Sequence, residues 1–381
     1  FSDVLNGVAQ AFHERRGEVE KSAGALLDGL RRIHAVGGGD LPGPDLVEEA
    51  AAFLLQRMDS VHGGFGTKPK FPSPSNAWVV WREGVATGDA QCRDMALLML
   101  RKMAAGGIYD QLGGGFHRYS TDETWLVPHF EKMLYDNAQL VPLYVDAWRT
   151  TGDDDLLRVA RETLEYLCRD MQDASGAFYG TTDADSEGEE GRYFVWTPRG
   201  VAGVLGDGDL TERFCRAYDV TPGGNWEGNS ILRWVGDRSG LDDARAKLLV
   251  ARGNRVPPLR DEKLVASWNG MAITALVEGW MATGEARWLA EAVRCGDAVV
   301  SRLVMDGRLQ HCRCGEDVRG PGLLDDHAAV GEAFIRLFEA TGDRRWLDRA
   351  VALAVAMEGD FYDRADGAWF MTPADGEALV V

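Results

Sequence analysis

The sequence of 381 residues predicts an all-α protein in which helical hairpins close into an α/α toroid. The first observation is a repeat, in which three segments begin with a short polar motif and end at a Thr-Gly-Asp or Thr-Gly-Glu turn. The motifs lie at 136–138, 268–270 and 326–328, and each central residue precedes the turn glycine by 15 positions. Helical periodicity between motif and turn makes each unit a helix pair, and repeated helix pairs form arrays.

The second observation is the spacing of the turns, whose glycines lie at positions 88, 152, 284 and 342. The copy that ends at Gly88 is looser and begins at 73–76. The gap between the second and third glycines is about twice the others. This gap predicts a degenerate copy of the unit near residues 205–235.

The third observation is that the two helices of each pair differ in composition. The helix after each long irregular loop is apolar nearly all round, as at 271–280, which indicates burial on both sides. The helix after each turn is more amphipathic, as at 344–349. An inner ring of helices enclosed by an outer ring explains this difference, and an open helical array is the alternative.

The elements follow in order along the chain. We predict a linking helix within 1–40, broken by glycine and proline at 37–44, and a toroid domain over 41–381. The predicted helices of the toroid cover 45–59, 75–88, 90–104, 129–150, 154–172, 269–282, 286–304, 326–340 and 344–358. Short strands predicted at 176–179, 192–196, 308–311 and 368–371 would form hairpins on the side opposite the turns.

Charge and cysteine usage exclude several classes of partner. The formal net charge of −19 argues against nucleic acid and against an anionic membrane surface, and no apolar run is long enough to span a bilayer. The six cysteines include no Cys-x-x-Cys, which fits buried thiols in a reducing cytoplasm. Two of them lie in the segment 311–314, His-Cys-Arg-Cys, which lacks the second half of a zinc site. We therefore expect a strand there and no metal.

The candidate site is the face where the inner-helix N-termini meet. Parallel inner helices bring their free N–H groups and positive dipole ends to this face, which suits polar ligand groups. His117 and His129 are the candidates for proton transfer, because unperturbed imidazoles titrate near neutrality. Asp183 and Asp185 are the candidate carboxylates, since paired carboxyl groups suit glycosidic chemistry.

Polar and aromatic residues of the same face are expected to bind a sugar. They are Arg118, Tyr135, Asp136, Asn137, Trp226, Trp268, Asn269, Asp326 and His327. Helix capping or core packing accounts for many of them singly. Capping does not account for Trp268 beside Asn269, or for two histidines in one narrow band. Phosphate-loop and dinucleotide-binding motifs are absent, so no cofactor is expected.

Five longer motifs resemble a known family, the YyaL-like, spermatogenesis-associated thioredoxin-domain proteins. The motifs lie at 64–72, 109–119, 128–138, 183–188 and 267–270, and the likeness spans about residues 1–381. The resemblance implies a six-hairpin, glycosidase-like (α/α)6 toroid related in layout to sugar epimerases and hydrolases. Members of this family carry an N-terminal thioredoxin-like domain, which this sequence lacks. The resemblance therefore implies a part of a longer protein, with an incomplete last hairpin and the missing domain as a partner.

Together these observations predict a carbohydrate-active enzyme with a small-molecule ligand such as a sugar. Glycoside hydrolysis and sugar epimerisation both stay open, because hydrolysis needs two carboxylates and epimerisation can use two histidines. The alternative is a non-catalytic client-binding or scaffold module that serves the thioredoxin-like domain. A scaffold predicts a broad apolar groove instead of a compact polar cavity.

Overall fold

The computed structural model describes residues 1–34, 43, 45–365 and 367–376. Within them the α-helices are α1 (Ser2–Glu14), α2 (Arg16–His34), α3 (Asp45–Leu55), α4 (Pro74–Thr87), α5 (Ala90–Ala105), α6 (Leu134–Thr151), α7 (Asp154–Tyr166), α8 (Pro198–Leu205), α9 (Asp209–Ala217), α10 (Asp242–Arg252), α11 (Ala266–Thr283), α12 (Ala286–Leu303), α13 (Leu324–Thr341) and α14 (Arg344–Asp360). A π-helix, Leu167–Met171, continues α7.

The strands of the same residues are short. They are β1 (Tyr119–Ser120), β2 (Pro128–His129), β3 (Lys132–Met133), β4 (Thr181–Thr182), β5 (Asp185–Ser186), β6 (Glu189–Glu190), β7 (Arg260–Asp261), β8 (Lys263–Val265), β9 (Val304–Met305), β10 (Arg308–Cys314), β11 (Asp317–Pro321), β12 (Tyr362–Asp363) and β13 (Ala368–Trp369). All recorded pairings are antiparallel.

Four long hairpins, α4/α5, α6/α7, α11/α12 and α13/α14, build the toroid. The turn of the second hairpin shows why Thr-Gly-Asp recurs. The Thr151 hydroxyl donates to the carbonyl of Ala147 at 2.7 Å, and Gly152 adopts a φ of 70° that favours glycine. The Asp153 carboxylate then accepts from the N–H of Asp155 and caps the next helix. The Thr-Gly-Asp motif thus ends one helix and starts its antiparallel partner within three residues.

The inner ring consists of α4, α6, α11 and α13, and the outer helices pack against it. α11 lies between α6 and α13, and α6 also contacts α4. Because each outer helix returns the chain to its start, all four inner helices run in the same direction. α11 and α13 approach closely at Gly270, where an added Cβ would lie 2.6 Å from the backbone of Ala329. The α/α toroid predicted from the sequence is confirmed.

The segment between the second and third hairpins differs from its prediction. The degenerate copy expected near 205–235 is wrong, because α9 ends at Ala217 and residues 218–241 form no helix. Glycine-rich turns at 206–208 and 223–228 interrupt the helical pattern there. Instead α8, α9 and α10 pack around Phe214 and Leu248 and form a second, smaller apolar core.

The N-terminal segment forms two helices instead of the single helix predicted over 1–35. The break lies at Arg15, whose φ of −129° and ψ of 38° end α1. No residue of α1 is buried. Residues 35–42, where the predicted domain boundary falls, lie outside the described residues.

The small sheets lie where the inner helices begin. β3, β4 and β7 form one sheet immediately before α6, and β8, β10 and β11 form another beside the start of α11. The helix predicted to begin at 129 therefore begins at Leu134, because the preceding residues pair as β2 and β3. The strand predicted at 192–196 is a turn in which Trp196 alone bridges to Ser230. None of the described helices combines the length and apolar character needed to cross a membrane.

Candidate functional site

The central residue of each repeated motif holds the loop in front of its helix. Asn137 is fully buried, and its Oδ1 accepts from the N–H of Phe116 at 2.6 Å. Its Nδ2 donates to the carbonyl of Phe116 at 3.0 Å and to that of Met133 at 2.9 Å. All of these bonds go to backbone groups. The amide of Asn137 is therefore occupied in fixing the loop that precedes α6.

The same arrangement recurs in the next inner helix. Asn269, also fully buried, accepts from Phe178 N–H at 2.7 Å and donates to the carbonyls of Phe178 and Val265. His327 Nδ1 lies 2.8 Å from the carbonyl of Leu323, again four residues earlier. We call this arrangement the loop clamp. It gives Asn137 and Asn269 a structural role, and His327 shares only the bond to the carbonyl four residues earlier. The contact of these three residues with a sugar stays a prediction.

The residue before the clamp residue contacts the preceding inner helix at Trp268 and at Asp326. The ring of Trp268 lies 5.0 Å from the ring of Tyr135. The fully buried Asp326 accepts from Ser267 N–H at 2.9 Å and from Leu323 N–H at 2.9 Å. Its Oδ2 also lies 2.7 Å from His311 Nδ1. Asp326 thus ties two helix starts together and orients an imidazole that remains partly exposed.

A chain of ionisable side chains lies around the start of α6. Arg118 donates to Glu131 Oε2 at 2.9 Å, and the same oxygen lies 3.8 Å from His129 Nε2. His129 Nδ1 lies 2.7 Å from Glu190 Oε1. We call Arg118, His129, Glu131, Tyr135 and Asp136 the rim cluster. It brings together four of the predicted site residues with Glu131, which sequence reasoning missed.

Asp136 is the most perturbed carboxyl group of the rim cluster. It is 7% exposed, and no hydrogen bond to its carboxyl group is recorded among the described residues. Burial raises its pKa to about 7, with a further rise from Glu131, while the Arg118 charge opposes the shift. Asp136 therefore holds a transferable proton near neutral pH.

His117 lies apart from the rim cluster. Its ring is 2% exposed, its Nδ1 lies 2.8 Å from the carbonyl of Phe130, and Phe130 and Phe194 pack edge-on against it. Burial, helped by the Lys132 charge, lowers its pKa to about 3. This imidazole is neutral at physiological pH, and its surroundings fit a packing role instead of proton transfer.

The remaining predicted residues lie in and beside the hairpin β5–β6. Asp183 and Asp185 are exposed, and Asp183 Oδ1 accepts from the next backbone N–H. Trp226 packs 5.4 Å from Phe130 and lines a cavity of about 850 Å³ together with Glu190. Through its bond to His129, Glu190 therefore connects the rim cluster to this cavity.

The four inner helices enclose a cavity of about 560 Å³, which we call the axial hollow. Asp325, at the start of α13, lines the axial hollow. Burial and the adjacent Asp326 raise the pKa of the Asp325 carboxyl group. Arg336, farther along α13, also lines the hollow. The axial hollow therefore extends over about 16 Å of this helix. The ion pair Arg149–Glu278, at 2.9 Å, makes its wall polar. Asp183 and Asp185 are not among the residues that line it.

Sequence reasoning missed Glu131, Glu190, His311 and Asp325. A weak signal exists for Glu131, which follows His129 at the alternate spacing of extended chain. His311 lies on β10, as the predicted strand at 308–311 implies, but its contact with Asp326 joins residues 15 positions apart. Among the described residues, no three His, Cys, Asp or Glu side chains gather as metal ligands would.

Comparison with known proteins links the chain to one group of relatives. It is 34% identical over 433 residues to spermatogenesis-associated protein 20 of Homo sapiens, covering 98% of this chain and 55% of the relative. An uncharacterized protein of Caenorhabditis elegans is 28% identical over 414 residues, covering 95% of this chain and 56% of its own length. This chain spans about half the length of these relatives. No protein-family model matches it.

Solved structures share the fold at low identity. An inactive variant of the α-1,6-mannanase GH76A of Salegentibacter sp. HEL1_6, in complex with α-1,6-mannotriose, matches with a TM-score of 0.51 at 15% identity, over 81% of this chain and 70% of that chain. A glycoside hydrolase family 76 mannosidase of Bacteroides thetaiotaomicron matches with a TM-score of 0.50 at 14% identity, over 81% and 65%. These likenesses show a six-hairpin, glycosidase-like toroid. The sequence motifs predicted this group of relatives, and the match to spermatogenesis-associated protein 20 covers 98% of this chain.

Proposed function

We propose that the chain is a carbohydrate-active enzyme whose chemistry takes place at the rim cluster. The observation that carries the proposal is Asp136, a nearly buried carboxyl group whose pKa is raised to about 7 beside a second carboxyl group, Glu131. A carboxyl group that keeps its proton at neutral pH is suited to general acid catalysis. Glu131 stays paired with Arg118 at 2.9 Å, which holds its carboxylate in place within the rim cluster.

These two groups fit the roles that glycoside hydrolysis requires. Asp136 would protonate the leaving glycosidic oxygen, and Glu131 would activate water or attack the anomeric carbon. The Tyr135–Trp268 pair supplies an aromatic surface against which a sugar ring can stack. The axial hollow, at about 560 Å³, has the size of a pocket for a small molecule, and its lining begins on α6 at Ala138, two residues after Asp136.

A specific contact also favours sugar epimerisation as a second candidate reaction. His311 is held by the buried Asp326 through its Nδ1, so its Nε2 is the nitrogen left to exchange a proton. His129 is held in a similar way by Glu190. Two carboxylate-oriented imidazoles are a sound basis for removing a proton from one face of a carbon and returning it to the other.

The two reactions and the scaffold alternative can be separated by proton NMR in D₂O. The full chain is incubated with α-1,6-mannotriose and with a panel of reducing disaccharides. Hydrolysis releases new reducing ends, whereas epimerisation replaces the proton at the reacting carbon with deuterium. We expect one of these signals, and we expect Asp136→Asn to abolish hydrolysis. Asp207→Asn, which alters an exposed carboxylate of the loop before α9, is the matched control.

A scaffold would give a different result in the same experiment. No turnover, combined with no sugar-dependent rise in melting temperature, would contradict the proposed activity. A non-catalytic client-binding module that partners a thioredoxin-like domain would then be the better reading. The polar wall of the axial hollow, with Arg149 paired to Glu278, weighs against the broad apolar groove that such a module requires.

A further inference from the structure

A second buried site lies where the π-helix after α7 meets the β3–β4–β7 sheet and the end of α10. There the structure has a cavity of about 570 Å³, which we call the cationic cavity. Its lining includes Lys132, Tyr166, Arg169, Arg252 and Arg260. Rim-cluster residues are not among those that line it, so the proposed carbohydrate chemistry leaves it unexplained.

The innermost wall of the cationic cavity is a buried triad of charges. Lys132 Nζ lies 2.9 Å from Asp110 Oδ2, and Arg252 holds both oxygens of the same carboxylate at 2.8 Å. The side chains of Lys132 and Arg252 are 2% and 3% exposed. Two buried cations thus share one carboxylate, so the triad carries one net positive charge, with Asp170 as a more distant counter-charge. An uncompensated buried charge is costly, so this arrangement favours an additional anion.

The outer wall adds further positive charge. Arg169 pairs with Asp170, and Arg260 donates to the backbone carbonyl of Asp170 and pairs with Glu262. The lining residues therefore include four cations, Lys132 and three arginines, against the two carboxylates of Asp110 and Asp170. With Glu262 counted as the partner of Arg260, one positive charge remains in excess. This excess of positive charge stands in a chain whose formal net charge is −19. The average charge of the protein does not explain this local excess of positive charge.

An unsatisfied donor belongs to the same triad. Arg252 Nε is buried and has no hydrogen-bond acceptor among the described residues. A buried donor without an acceptor calls for an explanation, such as a water, an ion or a ligand at that position. Burial also lowers the pKa of Lys132 to about 8, although Asp110 opposes the shift, so the ammonium group is poorly compensated.

The backbone of the cavity is unusual as well. Arg169 and Asp170 lie on the π-helix Leu167–Met171, which interrupts the regular hydrogen bonding after α7. π-Helical turns are rare and frequently occur at functional sites. The widened turn places Arg169 where its NH2 group donates to the carbonyl of Gly113 at 2.8 Å, against the loop that carries Asp110.

We propose that the cationic cavity binds the phosphate or carboxylate group of a small organic anion. Arginine guanidinium groups match both groups geometrically, because they offer paired donors to two oxygens. A volume of about 570 Å³ holds more than an inorganic ion and suits a ligand of several carbon atoms. Tyr166 and Thr182 offer hydroxyl groups to the rest of such a ligand.

Isothermal titration calorimetry with the full chain tests this proposal. Inorganic phosphate and glucuronate are titrated separately, in buffers matched in ionic strength with sodium chloride. We expect at least one probe to bind with a Kd at or below about 1 mM. Arg260→Gln and Arg169→Gln remove charge from the outer wall without touching the buried triad, and each should weaken binding at least about tenfold. Arg199→Gln, an exposed arginine on α8, removes the same charge elsewhere and should leave binding unchanged.

The outcomes are distinct. Binding of phosphate alone assigns a phosphorylated ligand, and binding of glucuronate alone assigns a carboxylated one. Failure of both probes to bind the wild-type chain overturns the proposal. Binding that survives in both Arg260→Gln and Arg169→Gln also overturns it, because the anion then lies elsewhere. Melting temperatures of the variants, measured without ligand, establish that each one is folded.

Discussion

Asn137 and Asn269, which stand 132 positions apart, make the same three hydrogen bonds at the starts of two neighbouring inner helices. Each accepts one backbone N–H from a loop and donates to two backbone carbonyls, one of them four residues earlier. The repeated motif is therefore a device that fastens each irregular loop to the ring. The segment before α6 carries Arg118, His129 and Glu131 of the rim cluster, and the clamp at Asn137 fixes this segment without taking part in the chemistry.

The first prediction concerns this clamp. Asn137→Ala would leave an N–H and two carbonyls of the backbone without their partners in a buried place, which costs about 1–3 kcal/mol for each group that stays unsatisfied. We expect a loss in free energy of unfolding of at least about 3 kcal/mol for Asn137→Ala and a similar loss for Asn269→Ala. Urea denaturation measures both. Asn254→Ala, at an exposed position, should change stability by less than about 0.5 kcal/mol.

The scaffold of the toroid could be predicted because its signals are local. A Thr-Gly-Asp turn needs residues adjacent in the chain, and the contrast between α11 and α14 is visible in their compositions. The start of α6 at Leu134 differs from the predicted start, because the preceding strands β2 and β3 pair with β1 and β4. Such pairing is not visible in the local sequence. The doubled gap between Gly152 and Gly284 predicts a further copy near 205–235, but glycine spacing alone does not show whether the chain between them forms a helix pair.

The candidate site was harder to predict because its chemistry depends on burial and on distant partners. Asn137 bonds Phe116 from 21 positions away, and Asn269 bonds Phe178 from 91 positions away. Nothing in the sequence near either residue distinguishes a clamp from a ligand contact. The contrast between His117, buried and neutral, and His129, held by Glu190, likewise appears only when the chain is folded.

The second prediction concerns the close contact between α11 and α13. Gly270→Ala places a Cβ 2.6 Å from the backbone of Ala329, so the two helices must move apart. We expect destabilisation of at least about 1–3 kcal/mol, the usual cost of overpacking. Gly331→Ala, on α13, is the matched control because its Cβ would meet nothing within 4 Å. Removing that helical glycine should stabilise by about 0.5–1 kcal/mol, and differential scanning calorimetry would show shifts of opposite sign.

The third prediction follows from the buried imidazole of His117. Its pKa falls from 6.5 to about 3 on folding, so the unfolded chain takes up a proton below pH 6.5 that the folded chain does not. Stability should therefore fall as the pH decreases from about 6.5 towards 3, by about 3 kcal/mol between pH 7 and pH 4 from this residue.

His117→Gln removes this contribution to the pH profile. The variant should be less stable at pH 7, because the buried ring is lost, yet its stability should decline less between pH 7 and pH 4. His13→Gln, on the exposed face of α1, is the control and should follow the wild-type profile. Parallel profiles for wild type and His117→Gln in urea denaturation would disprove the assignment.

The fourth prediction separates stability from activity at Asp136. Its pKa rises from 3.8 to about 7 on folding, so the folded chain holds a proton that the unfolded chain releases above pH 3.8. The wild type should lose stability as the pH increases from about 3.8 to 7, by about 3 kcal/mol between pH 5 and pH 8 from this residue. Asp136→Asn cannot ionise, so it should gain on the wild type by that amount over the same interval, whereas Asp207→Asn should not. Asp136→Asn should also abolish hydrolysis, because an amide is too weak an acid to protonate a leaving group. A variant that is more stable at pH 8 yet inactive would mark Asp136 as a group kept for chemistry at the expense of stability, and equal pH profiles for variant and wild type would refute that role.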